Sequence, residues 1–139
     1  MTGQVGKTAD AGWQIGVSRT LPHPLVDVWT FIAEDGVGLW LGPGVPLPLE
    51  RGAHYRTDDG ITGEIRSFHP LDRVRLTWRP SGWGHDSTVQ VTVRSSGPKT
   101  SLRFHQERLL GPEERAAQHE YWQAKMDGVA AALAAPATR

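Results

Sequence analysis

The side chains able to do chemistry are few and scattered. His85-Asp86-Ser87 holds the three residue types of a hydrolytic relay. Neighbours in one turn cannot form that relay, which catalysis assembles from distant segments, so no catalytic role is assigned. The six histidines, His23, His54, His69, His85, His105 and His119, contain no H-x-H or H-x-x-x-H pair, so their spacing offers no metal centre. Gly36-Val37-Gly38 opens like a phosphate loop, but no glycine stands three residues after Gly38 and no Lys-Ser/Thr follows. The chain has no cysteine, which excludes disulfides, thiolate metal sites and cysteine nucleophiles and fits a reducing cytoplasm. No cofactor is implied.

Aromatic residues stand out instead, with six tryptophans among 139 residues. Trp78 and Phe104 point inward from strands, and Trp122 and Met126 point back from a helix. Two readings are open for them: plain core, or the lining of a cavity left because one helix cannot fill the concave side of a sheet. Trp83, between Gly82 and Gly84 in a hairpin turn, is either an aromatic flap at the entrance or a cap on the sheet edge. Trp40 shares that ambiguity. Gln106 continues the inward alternation of Leu102 and Phe104, and is either a buried amide that needs partners or a solvated rim residue. Tyr55 offers an inward hydroxyl. The candidate ligand-binding set is therefore Trp40, Tyr55, Trp78, Trp83, Phe104, Gln106, Trp122 and Met126. Arg19, on the face of Ile15 and Val17, is expected in an ion pair rather than on a ligand carboxylate.

The elements that must position these residues follow from periodicity. Five strand-like segments run from 51 to 107. Val74, Leu76 and Trp78 alternate with Arg73, Arg75, Thr77 and Arg79; Val89, Val91 and Val93 alternate with Thr88, Gln90, Thr92 and Arg94; Leu102 and Phe104 alternate with Ser101, Arg103 and His105. That is the pattern of half-solvated antiparallel strands, and a slip of one residue would bury guanidinium groups and expose Trp78. Turn signals separate them, among them Asp58-Asp59-Gly60, Ser81-Gly82-Trp83-Gly84 and Ser95-Ser96-Gly97-Pro98. From Gly111 the period becomes helical: Pro112 suits the first turn, Glu113 and Glu114 suit the helix dipole, and Trp122, Met126, Val129 and Leu133 form one stripe. The helix runs to Ala134, roughly 35 Å at ~1.5 Å per residue, and Pro136 ends it.

Before the sheet, residues 1–12 lack an apolar pattern and are expected to be a disordered tail. A strand follows over 13–20, then Pro22-His23-Pro24 turns the chain into a helix carrying Val28, Trp29 and Ile32. Two short helices in all are expected after the first strand. The Gly/Pro-rich stretch 36–48 is too apolar for a solvated linker and is expected to fold over one mouth of the cavity. Residues 13–135 then form one domain of α+β class, a curved antiparallel sheet of about six strands wrapped around the long C-terminal helix.

Fifteen basic residues balance fifteen acidic ones, so no overall field would attract nucleic acid or an anionic membrane. The outward arginines Arg73, Arg75, Arg79, Arg94 and Arg103 read as cross-strand ion pairs rather than a basic stripe. No apolar run reaches signal-peptide or membrane-span length, so a cytoplasmic location is expected, with a homodimer left open.

The pattern as a whole resembles the activator of heat-shock-protein-90 ATPase homologue-like family, within the START-like (SRPBCC) helix-grip superfamily. Val17-Ser18-Arg19, the Pro24 to Trp29 helix start, Trp40, Arg51-Gly52, Tyr55, Gly63-Glu64, the Pro70 to Trp78 run, Thr100-Ser101-Leu102, His119 and Trp122 carry the resemblance. It implies the helix-grip fold and a hydrophobic or amphipathic small molecule held between sheet and helix, without demonstrable catalysis. The same superfamily also implies two alternatives, a polyketide-cyclase-like enzyme and a chaperone-interacting module.

Overall fold

A computed structural model describes residues 7, 8 and 12–135. The elements are β1 (Lys7–Thr8), β2 (Gly12–Leu21), α1 (Leu25–Ala33), α2 (Val37–Trp40), β3 (His54–Arg56), β4 (Thr62–His69), β5 (Arg73–Trp78), β6 (Ser87–Ser96), β7 (Lys99–Leu109) and α3 (Pro112–Ala134). The strands form one sheet in the order β1-β2-β7-β6-β5-β4-β3, every pair antiparallel. β1 is the strand not anticipated: Lys7 and Thr8 pair with Trp13 and Gly12. The rest of the expected disordered tail, apart from Gly12 in β2, lies outside the described residues.

Alternation sets the register as expected. Val74, Leu76 and Trp78 lie opposite Val91, Val89 and Ser87 of β6, and Val89, Val91 and Val93 lie opposite Gln106, Phe104 and Leu102 of β7. All of these side chains are buried, whereas Arg73, Arg75, Gln90 and Thr92 between them are half-buried. Two irregularities bend the sheet. One breaks the β2–β7 ladder between Trp13 and Ile15, where Arg108 takes a φ of 69°, and Arg115 of α3 donates to the Gln14 carbonyl at 2.8 Å. The other lies between Ile65 and Ser67 on β4.

α3 begins with Pro112 in its first turn, and Glu114 accepts a hydrogen bond from the Leu110 N–H at 2.9 Å. It ends where Ala135 is extended (ψ 142°), the conformation imposed on a residue before proline. The helix lies against β2 and β7 and touches α2. Trp122, Met126 and Val129 are its buried stripe, and Asp127 pairs with Arg19 of β2 at 2.5 Å, the ion pair anticipated for that arginine. Among the described residues, no helix is long and apolar enough to cross a membrane.

Candidate functional site

The inward strand residues and the α3 stripe meet in one aromatic cluster. Trp40, Trp78, Phe104, Gln106, Trp122 and Met126 are each at most 1% exposed. Ring centroids of Phe104 and Trp122 are 5.1 Å apart, those of Trp78 and Trp122 5.6 Å, and those of Trp40 and Phe104 6.3 Å. Trp40, in α2 and so part of the segment expected to be irregular, is the back wall of this cluster.

Polar groups inside the cluster are nearly all paired. The Gln106 amide donates to Ser87 Oγ at 2.9 Å and accepts from Trp122 Nε1 at 2.8 Å, while Ser87 Oγ donates to the Trp78 carbonyl at 2.7 Å. Gln106 is thus a buried amide rather than a rim residue. Trp40 Nε1 donates to the Ile32 carbonyl at 2.8 Å. Two buried atoms have no partner among the described residues: Trp78 Nε1, and Gln118 Oε1 on α3 one turn before Trp122.

Trp78 is covered from one side by the 79–86 hairpin and by α3. Trp83 meets the Trp78 ring edge-on at 5.5 Å and stacks on the His85 imidazole at 4.7 Å. His85 in turn contacts the Glu114 carboxylate at 3.1 Å, which ties the hairpin to the start of α3. Tyr121 packs on both Trp78 and Trp122, at 5.5 and 5.1 Å. Burial pushes its phenol up to about 12, so it is a neutral hydroxyl at ordinary pH. Trp83 and Tyr121 are only partly buried.

Tyr55 has a different employment. Its hydroxyl donates to the Thr77 carbonyl at 2.6 Å, crossing over Gly63, where an added Cβ would fall 1.9 Å from that carbonyl oxygen and 2.7 Å from the tyrosine oxygen. Thr77 Oγ1 accepts the Glu64 N–H at 2.8 Å. Two side chains thereby substitute for missing backbone bonds between β4 and β5, and burial raises the Tyr55 phenol above its usual range. Glycine at 63 is what allows the crossing.

Among the described residues, three of the surface clefts have these borders. One of about 430 Å³ is bordered by Tyr55, Glu64, Thr77, Arg79 and Asp86. Another of about 240 Å³ is bordered by Arg79, Gly82 and Trp83. These two flank the hairpin end of the cluster. The third, about 670 Å³, is apolar and lies away from it, between α1 and the 46–49 loop, with Trp29, Leu47 and Phe68 on its walls.

The remaining sequence candidates disperse. His85, Asp86 and Ser87 point to Glu114, Arg79 and the buried Gln106 respectively, so no relay links them. Arg73 and Arg94 both pair with Asp72, and Arg75 pairs with Glu107 across the sheet. Sequence reasoning missed Ser87, Gln118 and Tyr121. The first two had a signal: Ser87 stands two residues before Val89 on the inward alternation, and Gln118 stands four before Trp122 on the helical stripe. Tyr121, adjacent to the stripe, had none.

Comparison with known proteins agrees with this architecture. CalU16 from Micromonospora echinospora has a TM-score of 0.78 at 17% identity, over 91% of this chain and 79% of that one. DynU16, a protein of the dynemicin biosynthetic locus, has 0.74 at 24% identity over 86% of this chain and 46% of that one, so this chain spans under half of its length. PFC0360w, an HSP90 activator from Plasmodium falciparum, has 0.70 at 18% identity over 90% and 99%. These likenesses concern the fold. The curated proteins give no match. The family model described as activator of Hsp90 ATPase homolog 1-like protein matches residues 22–134, most of the chain from the end of β2 to the end of α3, and the chain belongs to that family.

Proposed function

We propose that the protein binds an amphipathic small molecule between α3 and the sheet, at the end of the aromatic cluster beside the 79–86 hairpin. The apolar part lies among Trp78, Trp83 and Tyr121, with Trp40, Phe104, Trp122 and Met126 as the wall behind. The polar part reaches the cleft bordered by Tyr55, Arg79 and Asp86, with Gln106 holding Trp122 in place. The partly buried Trp83 is the ring that turns aside to admit it.

One observation carries this reading. Three tryptophans are wholly buried; Trp40 and Trp122 have their indole N–H groups paired, while Trp78 Nε1 has no partner among the described residues. An unpaired buried donor costs about 1–3 kcal/mol. Its presence beneath the partly buried rings of Trp83 and Tyr121 supports an acceptor that arrives from outside. Fatty acids, flavonoids and sterols form the test panel. A ligand at a hundred times its Kd should add ~2.7 kcal/mol and raise the Tm by about 10 °C. A Tm indifferent to the whole panel would sink the reading and move the function to the outer surface, as a protein contact. Turnover of a panel member would make the site a cyclase-like enzyme instead.

A further inference from the structure

Resting on that reading, we infer that the bound molecule carries a neutral hydroxyl group, held between Trp78 Nε1 and Gln118 Oε1. Both atoms are buried and unpartnered among the described residues. Their chemistry is complementary in a restrictive way. An indole N–H only donates, and an amide oxygen only accepts. The ligand group must therefore accept from Trp78 and donate to Gln118.

A hydroxyl does both at one atom. A carboxylate or methyl ether has no hydrogen to give Gln118, and an ammonium has no lone pair for Trp78. Charge is also disfavoured, because the ionic groups of this end are already matched, His85 with Glu114 and Arg79 with Asp86. Placement agrees as well. The Trp78 ring packs on Tyr121 and Trp122, and Gln118 precedes those residues by three and four positions, so it is their neighbour on the helix surface. One oxygen making two bonds of about 2.8 Å bridges partners up to about 5.5 Å apart.

Two other polar groups of the cluster are taken. Tyr55 is committed to Thr77, and Gln106 to Ser87 and Trp122. Because the surroundings are aromatic faces and edges, the hydroxyl belongs on a flat aromatic or polycyclic body, a phenol rather than an alkyl alcohol.

Isothermal titration calorimetry of the wild-type protein with 2-naphthol, 2-methoxynaphthalene and 2-methylnaphthalene tests this. The naphthol should bind about tenfold tighter than the hydrocarbon, with the ether between them because it satisfies Trp78 alone. In Gln118→Met the advantage of naphthol over ether should vanish while the hydrocarbon's affinity is kept. Should that variant fail to fold, the wild-type order of the three probes still decides. Equal affinities for all three would overturn the hydroxyl anchor and leave small-molecule binding intact. Binding of none would overturn the anchor if the fatty acid, flavonoid and sterol panel still binds, and would overturn the binding reading itself if that panel is silent too. A crystal structure of the naphthol complex with a water bridging Trp78 and Gln118, and the hydroxyl elsewhere, would also overturn the anchor.

Discussion

At the α2 end of the interior, Trp40 is wholly buried, gives its N–H to Ile32 and packs on Phe104; at the hairpin end, Trp78 is equally buried, yet its N–H has no partner among the described residues and its covers, Trp83 and Tyr121, are only half hidden. The two ends share one sheet and one helix. They differ in what closes them. α2 closes the first with a short helix whose polar groups are satisfied internally, whereas a glycine-flanked hairpin closes the second through a ring stack and one histidine–carboxylate contact. One aromatic cluster thus has a closed end and a less closed one, and hydrogen-bond accounting separates them where burial does not.

The contrast can be broken most directly by truncation. Trp40→Ala should cost about 3–5 kcal/mol in urea unfolding, as expected for a large ring removed from a closed core. Trp83→Ala should cost less, about 1–2 kcal/mol, since a partly buried ring loses less transfer energy. Equal losses would mean that the hairpin is as much core as α2. Next in size is Met126→Trp. Met126 is fully buried on the inward stripe of α3, so added bulk should cost about 1–3 kcal/mol; an unchanged Tm would reveal room beneath the helix.

A finer comparison sets Trp122→Phe against Trp78→Phe. The first strips the Gln106 carbonyl of its donor and should cost about 1–3 kcal/mol beyond the lost ring area. The second breaks no hydrogen bond and should cost visibly less. Were the two alike, Trp78 Nε1 would have a partner in solution, and the proposed site would lose its main support.

The smallest effect concerns His105 on the outward face of β7, which belongs to neither end. Burial first, and then Arg103, lowers its pKa from 6.5, and it contacts Gln14 at 2.7 Å. Below 6.5 the unfolded chain binds the extra proton before the folded one does. Its stabilising contribution is therefore complete above about pH 6.5 and is lost as pH falls through the lowered folded value. Urea midpoints of His105→Gln should decline less than wild type between pH 7 and pH 5. An identical decline would show that this histidine titrates normally.

Much of the architecture was legible because it depends on which face of a strand or helix is apolar. The alternation through Val74, Leu76 and Trp78, and the stripe through Trp122 and Met126, each declare a buried side without reference to any other element. Trp40 was read less well, because glycines and prolines around it mask a helix of one turn that docking onto α1 and α3 stabilises. Tyr55 was legible as inward-facing. Its bond to Thr77 was not, since it depends on the β4 irregularity and on the space left at Gly63.

By itself, then, the sequence determined the order of the main elements and which face of each strand and helix is buried, since periods of two and 3.6 are local properties of the chain. Only the tertiary structure decided which buried polar atoms are satisfied. Trp122 finds Gln106 sixteen residues away and Gln106 finds Ser87 nineteen away, whereas Trp78 Nε1 and Gln118 Oε1 find no partner among the described residues. Hydrogen-bond partnership requires atoms of separate elements to meet at about 2.9 Å, and no periodicity in one element records where another will lie.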